Sequence, residues 1–241
     1  MRWGVHHCSG GDEGVPMLRL VTHNTVSVDG ATTGFPVDVG LHYEIAGRLA
    51  PAVMLVGSAM ARTGIELFMA RVPRETPADR QPRPPLPGDT RPAWVIVDSR
   101  GALHGLLHVF RNDEHVREVS VLVSKSTPAA YLAYLAERGY PALTAGDGRV
   151  DLRRGLEQVA ARHGEGVVLT DSGGGLNRAL LRLGLVDQLS LVVAPRLAGS
   201  QGRPLFWGVA MGERMEPAGL RLAAHETLRD GHAWLLYDVA R

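Results

Sequence analysis

Cysteine is nearly absent: Cys8 is the only one in 241 residues. An internal disulfide is therefore excluded, and an oxidising compartment is not required for folding. Lysine is equally scarce, Lys125 being alone among basic residues that are otherwise all arginine. Charge of one sign is also missing. The 26 basic and 25 acidic side chains leave a formal net charge of +1, which argues against nucleic acid or an anionic membrane as a partner. No apolar run approaches the ~20 residues that span a bilayer. Residues 1–16 lack the apolar core of a secretory signal. They read as a disordered Gly-rich tail, with Met17 as the expected natural start and a cytoplasmic location expected. His6, His7 and Cys8 sit in that tail, but three clustered ligands in a patternless segment do not make a metal site. The other histidines are scattered without ligand spacing, so no metal is expected. No zinc-deaminase signature is present, and Ser172 is not in a Gly-x-Ser-x-Gly elbow.

What is present is an alternation of short apolar runs and amphipathic segments. Strands are expected at 18–28, 52–56, 93–97, 119–123, 166–170 and 188–194, with shorter ones at 106–110 and 141–144. Helices are expected at 40–49, 59–70, 128–138, 151–162 and 175–184. Wholly apolar runs such as Ala52-Val-Met-Leu-Val56 mark strands buried on both faces. Residues 217–238 read as two strands around Arg229-Asp230-Gly231, a hairpin. Between Arg71 and Pro92 seven prolines preclude a helix or a central strand. That stretch is expected to be a long exposed loop, a linker or a lid. The pattern predicts one α/β domain over 17–241: three α/β/α layers, a mostly parallel central sheet and an antiparallel C-terminal hairpin. Ligands on such sheets bind at the carboxyl ends of strands, so the turns there carry the functional expectations.

The strongest turn is Asp171-Ser172-Gly173-Gly174-Gly175, entered from a β run and left through a helix at Leu176. Glycines let backbone approach a ligand closely, and a helix start offers free N–H groups and a favourable dipole to an anion. A pyrophosphate suits this geometry. The turn is neither G-x-G-x-x-G nor a P-loop, and its plain alternative is a Gly-rich connection with Ser172 as N-cap. The second turn, Asp98-Ser99-Arg100, closes the strand at 93–97. Ser and Arg there can grip the 2′-phosphate of NADPH. Asp98 could instead bind the free ribose hydroxyl of NADH, but Arg100 favours NADPH. The alternative is an Asx turn with an exposed arginine.

Four stretches together resemble the reductase domain of the riboflavin-pathway deaminase–reductase family. They are NTVSVDG at 24–30, MLVGSAMAR at 54–62, VIVDSRGAL at 95–103, and LTDSGGGLNRALLRLGLVDQLSLVVAPRLAGSQGRPLF at 169–206. The resemblance implies the dihydrofolate-reductase-like fold and an NADPH-dependent reductase. It implies that Gly57 and Ser58 approach the cofactor, and that Ser99 and Arg100 meet its 2′-phosphate. Ser124 and Lys125 would lie near the adenosine, and Gly173, Gly174, Gly175 and Leu176 would cradle the pyrophosphate. Asn24, Ser27 and Asp29 would face the substrate. Asp29 is the expected catalytic carboxylate, with Asp38 a weaker candidate. The substrate implied is a pyrimidine ribosylamine or related intermediate. A pterin, dihydrofolate or specialised-metabolite imine is the alternative, and a non-catalytic nucleotide-binding dimer a third reading. A homodimer is implied, through the C-terminal strands. The chain departs from the family at Met60, where a threonine is frequent. It departs again at 63–67, where an acidic phosphate-holding stretch is usual.

Overall fold

A computed structural model describes residues 18–84, 86–205 and 219–240. The tail at 1–16, Met17, Phe206 and Trp207 lie outside the described residues. In chain order the elements are β1 Leu18–Ser27, α1 Val39–Arg48, β2 Pro51–Gly57, α2 Ser58–Phe68, β3 Ala93–Val97, α3 Leu107–Arg111, β4 Val119–Val123, α4 Ala129–Glu137, β5 Ala142–Thr144, α5 Leu152–His163, β6 Gly166–Thr170, α6 Gly174–Arg182, β7 Gln188–Ala194, β8 Leu220–Thr227 and β9 Ala233–Val239. The strands form one sheet in the order β5-β4-β3-β2-β6-β1-β7-β9-β8. β1 to β7 are mutually parallel, and β9 runs antiparallel to both β7 and β8.

The uniform apolarity of the central strands follows from burial on two faces. Alternate residues enter two separate cores. Val21, Met54, Val56, Ile96, Val121 and Leu169 pack with α2, α3 and α4. Leu20, Val53, Leu55, Val95, Leu122 and Val168 pack with α5 and α6. Asp38 caps α1 by accepting from the Leu41 amide, and Asp151 caps α5 through the Arg153 and Arg154 amides. β6 enters the sheet between β1 and β2, although both precede it in the chain. That insertion brings the carboxyl ends of β1, β2 and β6 side by side.

Two expectations are corrected. Residues 106–110, read as a short strand, form α3 instead. Leu103, Leu107 and Phe110 recur at spacings of four and three, which is helical, and all are buried beneath the sheet. The Pro-rich stretch 71–92 is the long, mostly exposed loop expected, but it is tied to the body rather than hung free as a linker. Its described residues contain a single 3₁₀ turn, Ala78–Arg80, and none of them lines the cavity below. The buried Arg111 guanidinium donates to the carbonyls of Asp79 (2.8 Å), Gln81 (3.2 Å) and Arg138 (2.8 Å). Glu75 takes two hydrogen bonds from Arg138, at 2.6 and 2.8 Å, so the stretch is a strap fastened to the body. Among the described residues no helix is long and apolar enough to cross a membrane.

Candidate active site

A cavity of about 590 Å³ opens where β1, β2 and β6 end. Its lining includes Asn24 and Thr25 of β1, Gly57 of β2, Met60, Leu67 and Phe68 of α2, His42 and Tyr43 of α1, and the whole turn Asp171–Leu176. This is the size and placement of a ligand site on an open α/β sheet.

The β6 turn is fixed by side chains rather than by its own backbone. The Ser172 hydroxyl accepts from the Gly57 amide at 3.0 Å, which locks the β2 and β6 ends together. Ser172 is therefore a bridge, not the N-cap of α6; that position belongs to Gly173, which has no side-chain cap. Asn177, fully buried, donates to the Ser172 carbonyl (2.6 Å) and to Asn24 Oδ1 (2.9 Å). Asn24 in turn donates to the Ser172 carbonyl at 3.3 Å.

Gly173, Gly174 and Gly175 have no positive φ, so the backbone does not require glycine there. Nor does packing: a Cβ at Gly175 would meet no atom within 4 Å, and one at Gly173 only the Met60 methyl at 3.6 Å. What side chains would fill is the cavity itself, beside the free N–H groups of the α6 start. An extended anion such as a dinucleotide pyrophosphate fits that cradle.

The neighbouring turns stand on the same sheet edge, Gly57 being the register partner of Val97. Asp98 is 1% exposed, and its carboxylate accepts from the Arg100, Ala102 and Leu103 amides at 3.0–3.3 Å. It is thus spent on an Asx-type turn, while Ser99 is half-buried and Arg100 exposed. Ser124 is buried among Ser126 and Thr127, and the exposed Lys125 pairs with Asp147 at 2.8 Å. Ser58 begins α2 beside Gly57.

Three residues expected to face the substrate lie elsewhere. Asp29 and Ser27 do not line the cavity. The Ser27 hydroxyl donates to Asp29 Oδ1 at 2.6 Å, and the amides of Ala198 (3.0 Å) and Gly199 (2.8 Å) donate to the same carboxylate. These donors hold the Asp29 carboxyl down at about 2, the serine hydroxyl contributing most. Its role is to pin the loop after β1 to the loop after β7. Asp38 is committed to capping α1 and to an ion pair with Arg229 at 3.3 Å.

The cavity wall instead holds Asp171 and His42, with His23 packed against the His42 ring behind it; sequence reasoning dismissed both histidines as scattered. Burial raises the Asp171 carboxyl to about 6. His42 Nε2 lies 4.0 Å from Asp171 Oδ2, and its Nδ1 is 3.0 Å from the Thr25 hydroxyl. His23 is buried, which lowers it to about 4. Its Nε2 lies 3.0 Å from the His42 carbonyl, so that nitrogen carries the proton, and Nδ1 accepts from Ser190, which itself accepts from Trp234 Nε1 at 2.9 Å. No local signal marks either histidine; only the position of α1 over β1 brings them together. Among the described residues no three His, Cys, Asp or Glu side chains cluster closely enough to hold a metal ion.

Residues 20–235 match the RibD C-terminal domain family. The chain belongs to that family. It is 34% identical over 145 residues to the 2,5-diamino-6-ribosylamino-4(3H)-pyrimidinone 5′-phosphate reductase of Methanothermobacter thermautotrophicus, a match covering 59% of this chain and 63% of that protein, just under two thirds of its length. Among solved structures, a pyrimidine reductase-like protein of Corynebacterium diphtheriae superposes with a TM-score of 0.69 at 18% identity, covering 94% of each chain. Acinetobacter baumannii RibD superposes at 0.65 and 20% identity, covering 93% of this chain and 58% of that one. These likenesses establish the shared fold, a mostly parallel α/β sheet with an antiparallel C-terminal pair.

Proposed function

We propose that the chain is an NADPH-dependent reductase that delivers hydride to a C=N-type bond of a small heterocycle, in the first place a pyrimidine ribosylamine. The observation that carries this reading is the cavity where the β1, β2 and β6 ends meet, with a Cβ-free cradle on one side and a raised carboxyl on its floor. The match to a ribosylaminopyrimidinone phosphate reductase supports the substrate class.

NADPH, when bound, supplies the hydride from its nicotinamide ring. Gly173, Gly174, Gly175 and Leu176 would hold its pyrophosphate, with Gly57 and Ser58 beside them. Ser99 and Arg100 would take the 2′-phosphate, and Ser124 and Lys125 border the adenosine. Because Asp98 spends its carboxylate within its own turn, the rival ribose-hydroxyl contact of NADH loses its acceptor. Asn24 and Thr25 position the heterocycle. Asp171, protonated more readily than an ordinary carboxyl, supplies the proton to the nitrogen of the reduced C=N bond, the role assigned by sequence to Asp29. Orientation against the ring and exclusion of water do the remaining work.

A second reading, reduction of a pterin- or dihydrofolate-type ring, is favoured by one observation. The wall between α1 and α2 is apolar: Val39, Met60, Leu67 and Phe68 all line the cavity, the last two 73% and 66% exposed. NADPH consumption measured with a phosphorylated ribosylaminopyrimidinone and with a dihydropteridine separates the two. Turnover of neither, despite NADPH binding, would overturn the reductase reading.

A homodimer in the cytoplasm completes the proposal. Leu220 and Leu222 of β8 are 48% and 45% exposed. They share a sheet face with the half-buried Leu235 and Tyr237 of β9 and Leu191 of β7, an apolar surface suited to a second copy.

A further inference from the structure

His42 is held so that each ring nitrogen meets a group able to act as donor or acceptor. Nδ1 stands 3.0 Å from the Thr25 hydroxyl, which can do either. Nε2 stands 4.0 Å from Asp171 Oδ2, which accepts when ionised and donates when protonated. The ring is kept in place by the His23 ring against it, centroids 4.4 Å apart, and by the His23 hydrogen bond to the His42 carbonyl. All three of Thr25, His42 and Asp171 line the cavity.

We propose that His42 is a positioning residue that exchanges between its two neutral tautomers as Asp171 gains or loses its proton, with the Thr25 hydroxyl turning to match. When Asp171 is ionised, Nε2–H points at the carboxylate and Nδ1 accepts from Thr25. When Asp171 is protonated, its O–H donates to Nε2, and Nδ1–H donates to the Thr25 oxygen. Neither arrangement places a charge on the ring or leaves a nitrogen unsatisfied, so the cavity floor accommodates both states of the acid. The 4.0 Å separation is longer than a hydrogen bond, so the exchange requires a small side-chain rotation that closes it in the free protein.

The surroundings agree. Burial, reinforced by His23, drives His42 down to about 3, so it stays neutral near pH 7. His23 on β1 is neutral as well. Tyr43 on α1, raised to about 12 by burial, keeps its proton and interacts with the Asp171 carboxyl; Asp113 acts on that phenol too. Arg203 is the lining cation, among Thr32, Thr33 and Pro204, and α2 contributes no titratable lining side chain. For the reaction, the inference rests on the reductase reading. The substrate carbon accepts hydride with both its electrons, the nitrogen of the same C=N bond takes the Asp171 proton, and solvent restores that proton. The tautomer exchange itself belongs to the free protein.

The test is nitrogen NMR of labelled full-length protein without ligand, from roughly pH 5 to 8, the window in which protein switches of this kind operate. The His42 proton should move from Nδ1 to Nε2 around the Asp171 midpoint, about 6, with no imidazolium. In Asp171→Asn the exchange should vanish. A single tautomer at every pH in the native protein, or a doubly protonated ring, overturns the proposal. As a second measurement, His42→Gln and His42→Leu should each lower kcat by about tenfold, a modest share of general-acid catalysis, and displace its pH profile. NADPH affinity should be unchanged. An unshifted profile in both also overturns the proposal. Absence of any NADPH oxidation by the native protein would instead strike at the reductase reading, leaving the tautomer result to stand separately.

Discussion

Asp29 and Asp171 follow neighbouring parallel strands on one edge of the sheet, each just before a glycine-bearing turn, yet they have opposite characters. Asp29 receives a hydroxyl and two amides, which hold it down at about 2. Asp171 is half-buried in the cavity wall and is raised to about 6. The first is a brace between two loops, the second an acid facing a ligand space. Residue type is the same and both follow a strand; burial lifts one carboxyl, while the donors aimed at the other hold it down.

The sharpest break between the two is kinetic. Asp171→Asn should lower kcat about 10²–10⁴-fold, the range for loss of a general acid, while Asp29→Asn should leave the chemical step unchanged in the fraction that folds. The reverse ranking in steady-state NADPH oxidation would return the catalytic role to Asp29. Stability against pH is the next largest contrast. A carboxyl raised from 3.8 to about 6 contributes favourably below about 3.8 and loses that contribution as pH rises through about 6. Asp171→Asn should therefore be more stable than the native protein at pH ~8, by up to about 3 kcal/mol, with the gain gone near pH ~4. Asp29 runs the other way: its contribution is present above 3.8 and lost as pH falls towards about 2, so Asp29→Asn should destabilise at neutral pH. Denaturant unfolding of both variants across pH checks the signs. The smallest effect belongs to a third strand-end turn. Arg100→Ala should weaken NADPH by roughly 10–100-fold, the worth of a charged hydrogen bond, and leave NADH nearly untouched. Equal losses in a fluorescence titration would remove Arg100 from the phosphate site.

The sheet was readable wherever burial on both faces made a run wholly apolar: Ala93–Val97, Val119–Val123, Gly166–Thr170 and Gln188–Ala194 fall where the pattern places them. α3 was not, because Leu107-His-Val-Phe110 over so few residues satisfies a strand as well as a helix. The glycine turn was legible because both of its cues are local, a β run before it and a helix after it. The floor of the site was not. Asn177, His23 and His42 come from α6, β1 and α1, and they converge only because β6 inserts between strands made earlier in the chain. Asp171 lay inside the legible turn, but its chemistry depends on a burial that no neighbouring residue announces.

The most direct measurement is calorimetric titration of NADPH into the native protein and into Gly175→Val. A Cβ at 175 meets no protein atom within 4 Å, and valine improves on glycine in a helix, so the variant should fold as well as the native chain. One binding site for NADPH in the native protein, lost in the variant, is the predicted result. Equal heats in both proteins, or no heat in either, would contradict the assignment of the cavity at the β6 turn to a reduced dinucleotide.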